Sequence, residues 1–246
     1  MTKVLGIIGG LGPLATAAFY ARLVRETDAA RDQEHLHVLI DSNPSVPDRT
    51  AFLLGVGPDP RPGLIEVGLT LKAMGAELLV VPCNTANVWR AELSEAIGLP
   101  IVPWIETAVE AVRMICGSPF GLLATTGTLA VGAYQQAGSD AGMEVLIPEG
   151  QEQRDVMQAI YGARGVKTLP GTEEATDLLA TAIGRLAARG ARGVLLACTE
   201  LPMALSPTQS YPIPVIDPAV AVARRAIREA QGRVAVERDG GWWFAS

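Results

Sequence analysis

The chain has 246 residues, 49% of them hydrophobic but few aromatic (Trp 4, Tyr 4, Phe 4), so it can bury one large aliphatic core or two smaller ones. A net charge of −6 and a pI near 5.0 argue against a nucleic-acid surface, which needs clustered cations. No apolar run approaches the roughly 18 residues of a membrane span, and no signal-peptide pattern opens the sequence. Three widely separated cysteines make neither a disulfide framework nor a C-x-x-C metal motif, so the expected compartment is the reducing cytoplasm.

Val4 to Ile8 predicts a buried parallel strand. Gly9-Gly10-Leu11-Gly12-Pro13 predicts a turn whose proline suits the first position of a helix running from Leu14 to about Ala29. The turn lacks the full G-x-G-x-x-G register and no acidic ribose ligand follows, so it is not read as a dinucleotide site. Glu34 to Ile40 predicts the second strand, with His35 and His37 at its amino end in structural roles. Asp41 to Thr50, with two prolines and an Asx/Ser cluster, predicts a fixed loop at a strand's carboxyl end. Arg49, its one basic residue, is either a surface arginine paired with Asp48 or a guanidinium fork aimed at a carboxylate.

Pro62 to Met74 predicts a helix closed by Gly75, and Glu77 to Val81 a strand that delivers Pro82-Cys83-Asn84-Thr85-Ala86-Asn87 to a turn. A further helix, a short strand at Pro100 to Pro103 and a helix ending near Cys116 follow. Cys116 reads as a small apolar residue. The next strand is Phe120 to Ala124, with a turn at Thr125-Thr126-Gly127-Thr128, a helix, a strand at Glu144 to Ile147 and a helix near Glu152 to Tyr161. Lys167 lies in the loop after it. A long helix from Thr172 to Gly190, acidic in its first turn, feeds the strand that ends in Cys198-Thr199-Glu200. After Pro214-Val215-Ile216-Asp217 a last helix should return to the first lobe, and Val234 to Phe244 predicts a hairpin. Its Trp242, Trp243 and Phe244 are a partner surface or a strap.

The two strand-end cysteines lie 115 residues apart, and at that offset Gly6 aligns with Gly121, Gly12 with Gly127 and Leu14 with Leu129. The expected fold is therefore α/β, with two similar pseudo-symmetric lobes, each a mostly parallel sheet flanked by helices, and an active site in the cleft between them. The first lobe takes residues 1–103 and 212–231, the second 104–211, and 232–246 form a tail.

Paired cysteines suit a reaction that removes a proton from one face of a carbon and returns one to the other. A thiol titrates near pKa ~8.5, so the site must favour a thiolate through amide donors and helix N-termini. With Lys3 opening a strand and Lys72 within a helix, only Lys167 is placed to meet a ligand, so a pyridoxal Schiff base is not expected and the cofactor expectation is none. Asn84, Thr85, Thr125, Thr126 and Thr199 are then the donors available to an α-carboxylate.

Gly-Gly-Leu-Gly-Pro-Leu-Ala-Thr near the start, Asp32-Gln-Glu-His35, Asn43 to Thr50, Pro82-Cys83-Asn84-Thr85-Ala86 and Cys198-Thr199-Glu200-Leu201 together resemble the aspartate/glutamate racemase family, and within it the aspartate racemase branch. The resemblance implies a cofactor-independent racemase of a small acidic amino acid, with Cys83 and Cys198 as catalytic bases, and a homodimer. It implies that Arg49 and Lys167 hold the distal carboxylate; Leu11 and Glu200, inside matched motifs, are counted with the substrate-binding residues. Two positions depart from the pattern: Asn87 stands where a histidine is expected and Ala197 where a glycine is. Alternatives on the same residues are a glutamate, hydantoin or maleate enzyme using cysteine, a non-catalytic two-lobed amino-acid binder, and a redox pair.

Overall fold

The structure is a computed structural model that describes residues 2–205 and 210–232. In chain order it runs β1 (Leu5–Gly9), α1 (Pro13–Glu26), β2 (Val38–Ser42), α2 (Arg49–Leu53), α3 (Arg61–Ala73), β3 (Leu78–Val80), α4 (Arg90–Ile97) and α5 (Trp104–Ile115). It continues with β4 (Phe120–Ala124), α6 (Thr126–Val131), α7 (Ala133–Asp140), β5 (Val145–Leu146), α8 (Gln151–Tyr161), α9 (Glu173–Ala188), β6 (Val194–Ala197), α10 (Leu201–Ala204), β7 (Val215–Ile216) and α11 (Pro218–Gln231). Its described residues form two units, one made of those up to Thr107 with residues 219–232, the other of Ala108–Pro218.

The first unit holds a parallel sheet of order β2-β1-β3, and Ile101 bridges to Leu79 on the far side of β3. Side chains alternate along the strands and both faces are covered, which is why β1 and β3 read as continuous apolar runs. Ile8, Leu79 and Val81 pack with Leu64, Val67 and Leu71 of α3 and Leu93 and Ile97 of α4. Leu5, Ile7, Leu78 and Val80 pack on the other face with Phe19 and Leu23 of α1, Trp104, and Val222, Ala226 and Ala230 of α11. A main-chain bond from Lys3 to the Ala230 carbonyl (2.8 Å) and the Arg224–Glu26 ion pair (2.7 Å) also tie α11 to this unit.

The second unit holds a parallel sheet of order β5-β4-β6-β7. Leu123, Val194 and Leu196 pack on Val156 and Ile160 of α8 and on Leu179, Ile183 and Leu186 of α9. In each sheet the central strands pair with one register: Leu5 opposes Leu78 and Gly121 opposes Val194, 73 residues apart in both cases. Glycine recurs at matching points for a steric reason. A Cβ on Gly6 would lie 2.6 Å from the Leu79 side chain, and one on Gly121 would lie 2.9 Å from those of Leu186 and Val194.

Several boundaries differ from the sequence reading. α1 stops at Glu26 because Thr27 turns extended and folds its hydroxyl onto the Leu23 carbonyl (2.7 Å). β2 starts at Val38 because residues 32–34 form a 3-10 turn, held by the Glu34 carboxylate on the Ala30 N–H (2.8 Å), which leaves His35 and His37 ahead of the strand. The expected loop at residues 49 and 50 is instead the start of α2, because the Asp48 side chain caps it through the Ala51 N–H (2.7 Å). β7 hydrogen-bonds to β6, which sets residues 212–217 with the second sheet rather than the first lobe. The hairpin expected at 234–244 lies outside the described residues.

Candidate active site

Every segment that sequence chemistry singled out follows a strand at its carboxyl end, where parallel sheets collect ligands; Lys167 alone comes from a longer loop. In the first unit, β1 opens into the turn at Gly10-Leu11-Gly12. Gly10 has φ +87°, and a Cβ there would sit 2.4 Å from the main chain of Asn43, so only glycine lets the turns after β1 and β2 touch. Thr16 locks the turn by accepting the Gly10 N–H and donating to the Gly12 carbonyl, both at 2.9 Å.

Arg49 joins the same two loops. It is buried at the start of α2, not on the surface, and its guanidinium donates to the carbonyls of Leu11 (2.6 Å), Pro47 (3.0 Å) and Val46 (3.3 Å). A planar fork with five donors suits such a cross-link, which lysine could not reproduce. Leu11 thus contributes its carbonyl, while its side chain lies in the apolar cluster that also contains Val46, Cys83 and Ala86.

After β3 the main chain bends sharply, the Cys83 N–H bonding the Val81 carbonyl (2.8 Å). Cys83 is buried, as are Asn84, Thr85 and Asn87. Asn84 accepts the indole N–H of Trp104 (2.9 Å), and Asn87 donates to the carbonyls of both Val81 and Cys83 at 2.8 Å. Residues 85–89 wind into a 3-10 turn that α2 braces through the Phe52–Trp89 ring contact.

In the second unit Ala124 opposes Ala197, so Thr125 and Cys198 leave neighbouring strands at one level. Thr125 caps α6 through the Thr128 N–H (3.2 Å) and shares a 3.0 Å hydrogen bond with the Thr128 hydroxyl. Thr126 is half-buried; Gln153 reaches its hydroxyl (3.2 Å) and Met157 sulfur its N–H (3.2 Å). A cavity of about 520 Å³ opens beside it, lined by Gly150, Gln153, Arg154, Met157 and Tyr161 among others, a volume in the range of small-ligand pockets.

Cys198, Glu200 and Lys167 form one cluster. The Cys198 thiol lies 3.2 Å from Glu200 Oε2, Thr199 donates to the same oxygen (3.1 Å), and Lys167 Nζ donates to Oε1 (2.6 Å). Lys167 is not a solvated loop lysine: its side chain is 22% exposed and lies over the Tyr161 ring at 5.6 Å. Burial and then the Glu200 carboxylate push the Cys198 thiol well above its ordinary value of 9.0, with Lys167 opposing them. Burial works against the Lys167 ammonium, but the charges of Glu200 and Cys198 outweigh it and hold the group above its ordinary 10.5.

The structure therefore gathers Leu11, Arg49, Cys83, Asn84 and Thr85 in the loops of the first unit, and Thr125, Thr126, Lys167, Cys198, Thr199 and Glu200 in those of the second. Trp104, Tyr161, Gln153 and Met157 were not foreseen, since nothing local in sequence links them to the motifs they touch. Among the described residues, no group of three or more His, Cys, Asp or Glu could hold a metal ion, and no helix is long and apolar enough to cross a membrane.

A family model described as Asp/Glu/Hydantoin racemase matches residues 8–226. The chain is 25% identical over 231 residues to the broad specificity amino-acid racemase RacX of Bacillus subtilis, covering 91% of this chain and 96% of that protein. Among solved structures it resembles aspartate racemase from Picrophilus torridus, with TM-score 0.78, 28% identity and coverage of 93% of this chain and 94% of that one. The glutamate racemase RacE1 of Bacillus anthracis shares the fold at TM-score 0.65 and 18% identity, over 94% of this chain and 83% of that one.

Proposed function

The chain belongs to the Asp/Glu/hydantoin racemase family, and from that premise we propose that it inverts Cα of an acidic amino acid, aspartate first, using Cys83 and Cys198 as paired acid and base without a cofactor. The observation that carries this reading is the matched placement of two buried cysteines, each beyond the carboxyl end of the corresponding strand in its own unit.

Inversion needs a base on one face of Cα and an acid on the other. Cys83 takes the Cα proton as base, and Cys198, held as a thiol by burial and by Glu200, returns one to the opposite face. In the reverse direction the roles exchange: with its proton passed on along the 3.2 Å contact to Glu200, the Cys198 thiolate acts as base, and Cys83 in its thiol form returns a proton to the opposite face. Lys167 and Arg49 would receive the substrate's distal carboxylate. Asn84, Thr85, Thr125, Thr126 and Thr199 would meet the α-carboxylate, where charge develops in the transition state.

Aspartate is favoured by the likeness to the Picrophilus enzyme. A second reading, a racemase of wider range, is favoured by the nearly full-length match to RacX. Both are tested by incubating the protein, free of added cofactor, with each enantiomer of aspartate, glutamate and a panel of neutral and basic amino acids in D₂O. Cα deuterium and optical rotation are then followed. Exchange confined to aspartate supports the first reading, exchange across the panel supports the second, and exchange of none removes the proposal.

A further inference from the structure

Asn87 is buried, only 5% exposed, and forms part of no substrate contact proposed above. Its amide nitrogen donates one hydrogen to the Val81 carbonyl and the other to the Cys83 carbonyl, each at 2.8 Å. Two carbonyl acceptors fix which end of the amide faces them, because an oxygen there would repel both. Asn87 Oδ1 therefore faces away, buried and accepting no hydrogen bond among the described residues. A buried acceptor left without a donor is a cost, so what this position supplies is the NH₂ group. It clamps the main chain on both sides of Pro82, and with the Cys83 N–H on the Val81 carbonyl it closes the bend from which the thiol projects.

The second unit holds its cysteine differently. Pro202 stands at the position corresponding to Asn87, and the Cys198 carbonyl accepts the Leu201 main-chain N–H at 3.0 Å. Among the described residues, the side-chain clamp is thus seen at Cys83 and not at Cys198.

We propose that Asn87 is the positioning residue of Cys83: its non-titrating pair of N–H donors holds the 81–83 bend and so aims the thiol, independently of the Cys198 side. The proposal rests on the racemase reading only for its catalytic readout. The test compares wild type, Asn87→Leu and Asn87→Asp in the full chain. Iodoacetamide labelling of Cys83 and Cys198 is followed peptide by peptide across about pH 6 to 9, beside enantiomer-resolved Cα exchange in D₂O.

With Asn87→Leu the bend opens, so Cys83 labelling should rise about tenfold or more while exchange by the Cys83 face falls about tenfold or more in kcat with little change in KM. Cys198 labelling should stay within about twofold. With Asn87→Asp the introduced carboxyl faces two carbonyls that favour its protonated, donating form. Protonated, it donates to only one of the two, so that variant should lie between wild type and Asn87→Leu near pH 6 and behave like Asn87→Leu near pH 9. Equal changes at both cysteines would mean general destabilisation and overturn the proposal, as would an unaffected Cys83 or a flat pH profile in Asn87→Asp. If wild type exchanges neither enantiomer, the racemase reading fails while the labelling comparison still decides the role of Asn87.

Discussion

The loops that carry Cys83 and Cys198 start from the same strand register and are then stabilised by opposite means. Around Cys83 every hydrogen bond described above involves main chain or neutral side chains: Asn87 to two carbonyls, Trp104 to Asn84, and a bend closed by the residue's own N–H. Around Cys198 the partners are ionic, with Glu200 on the thiol and Lys167 on Glu200. The repeated strand register thus supplies two equivalent places for a sulfur atom, and the side chains that surround each one, from the same loop and from others, decide how that sulfur is tuned. Neutral clamps fix geometry without adding charge; a buried carboxylate and ammonium set protonation, at the desolvation cost that such pairs carry.

The sharpest way to break this comparison is to remove each thiol. If the cysteines serve opposite faces, Cys83→Ser and Cys198→Ser should each lower racemisation by about a thousandfold or more, because every turnover needs both. Each variant should still exchange Cα hydrogen of one enantiomer in D₂O, and the two should prefer opposite enantiomers. A serine variant that racemises at the wild-type rate, or two variants that exchange the same enantiomer, would end the two-base account.

Glu200→Gln sharpens the contrast between ionic and neutral loops. It removes the carboxylate proposed to take the Cys198 proton and leaves Lys167 beside an amide, so on that proposal exchange by the Cys198 face should fall about a hundredfold, within the usual range for loss of general-base assistance. The Cys83 face should change by no more than about threefold. Enantiomer-resolved exchange reads both at once, and equal losses would show that the two loops do not act separately.

Alkaline titration gives the smallest effect. The Cys198 thiol is raised above 9.0 in the folded protein, so above that pH the folded state keeps a proton that the unfolded chain releases, and stability falls as pH rises. Lys167 is raised above 10.5, so its contribution is complete below that pH and is lost as pH climbs through the folded value. Each retained proton steepens the loss by about 1.4 kcal/mol per pH unit. Urea unfolding from about pH 8 to 11 should show this decline; Cys198→Ala should flatten its lower part and Lys167→Met its upper part. Unchanged slopes in both variants would contradict the ionic character assigned to the Cys198 loop.

Much of the architecture was legible in the chain itself. Short apolar runs without alternation that end in turn residues, as at Leu5 to Ile8 and Val194 to Ala197, read as strands covered on both faces, and the 115-residue offset of Gly6 and Gly121 is readable because close packing against each strand demands glycine at the same point of each unit. The cysteine turns and the threonine donors were legible for a related reason: a strand that ends in small polar residues must present them at its carboxyl end. Partners distant in sequence were not. Burial of Arg49 against the Leu11 carbonyl, Lys167 lying 33 residues from Glu200, and Trp104 lying 20 residues from the Asn84 it bonds all depend on which loops the sheet order brings together. The same holds for Asn87, which sequence marked only as the absence of an expected histidine. Its two hydrogen bonds exist because the chain bends at Pro82, and a bend aligns carbonyls four and six residues away only once β3 has been locked into its sheet. Local pattern determines which residues stand at a strand's end; tertiary packing alone decides which of them meet.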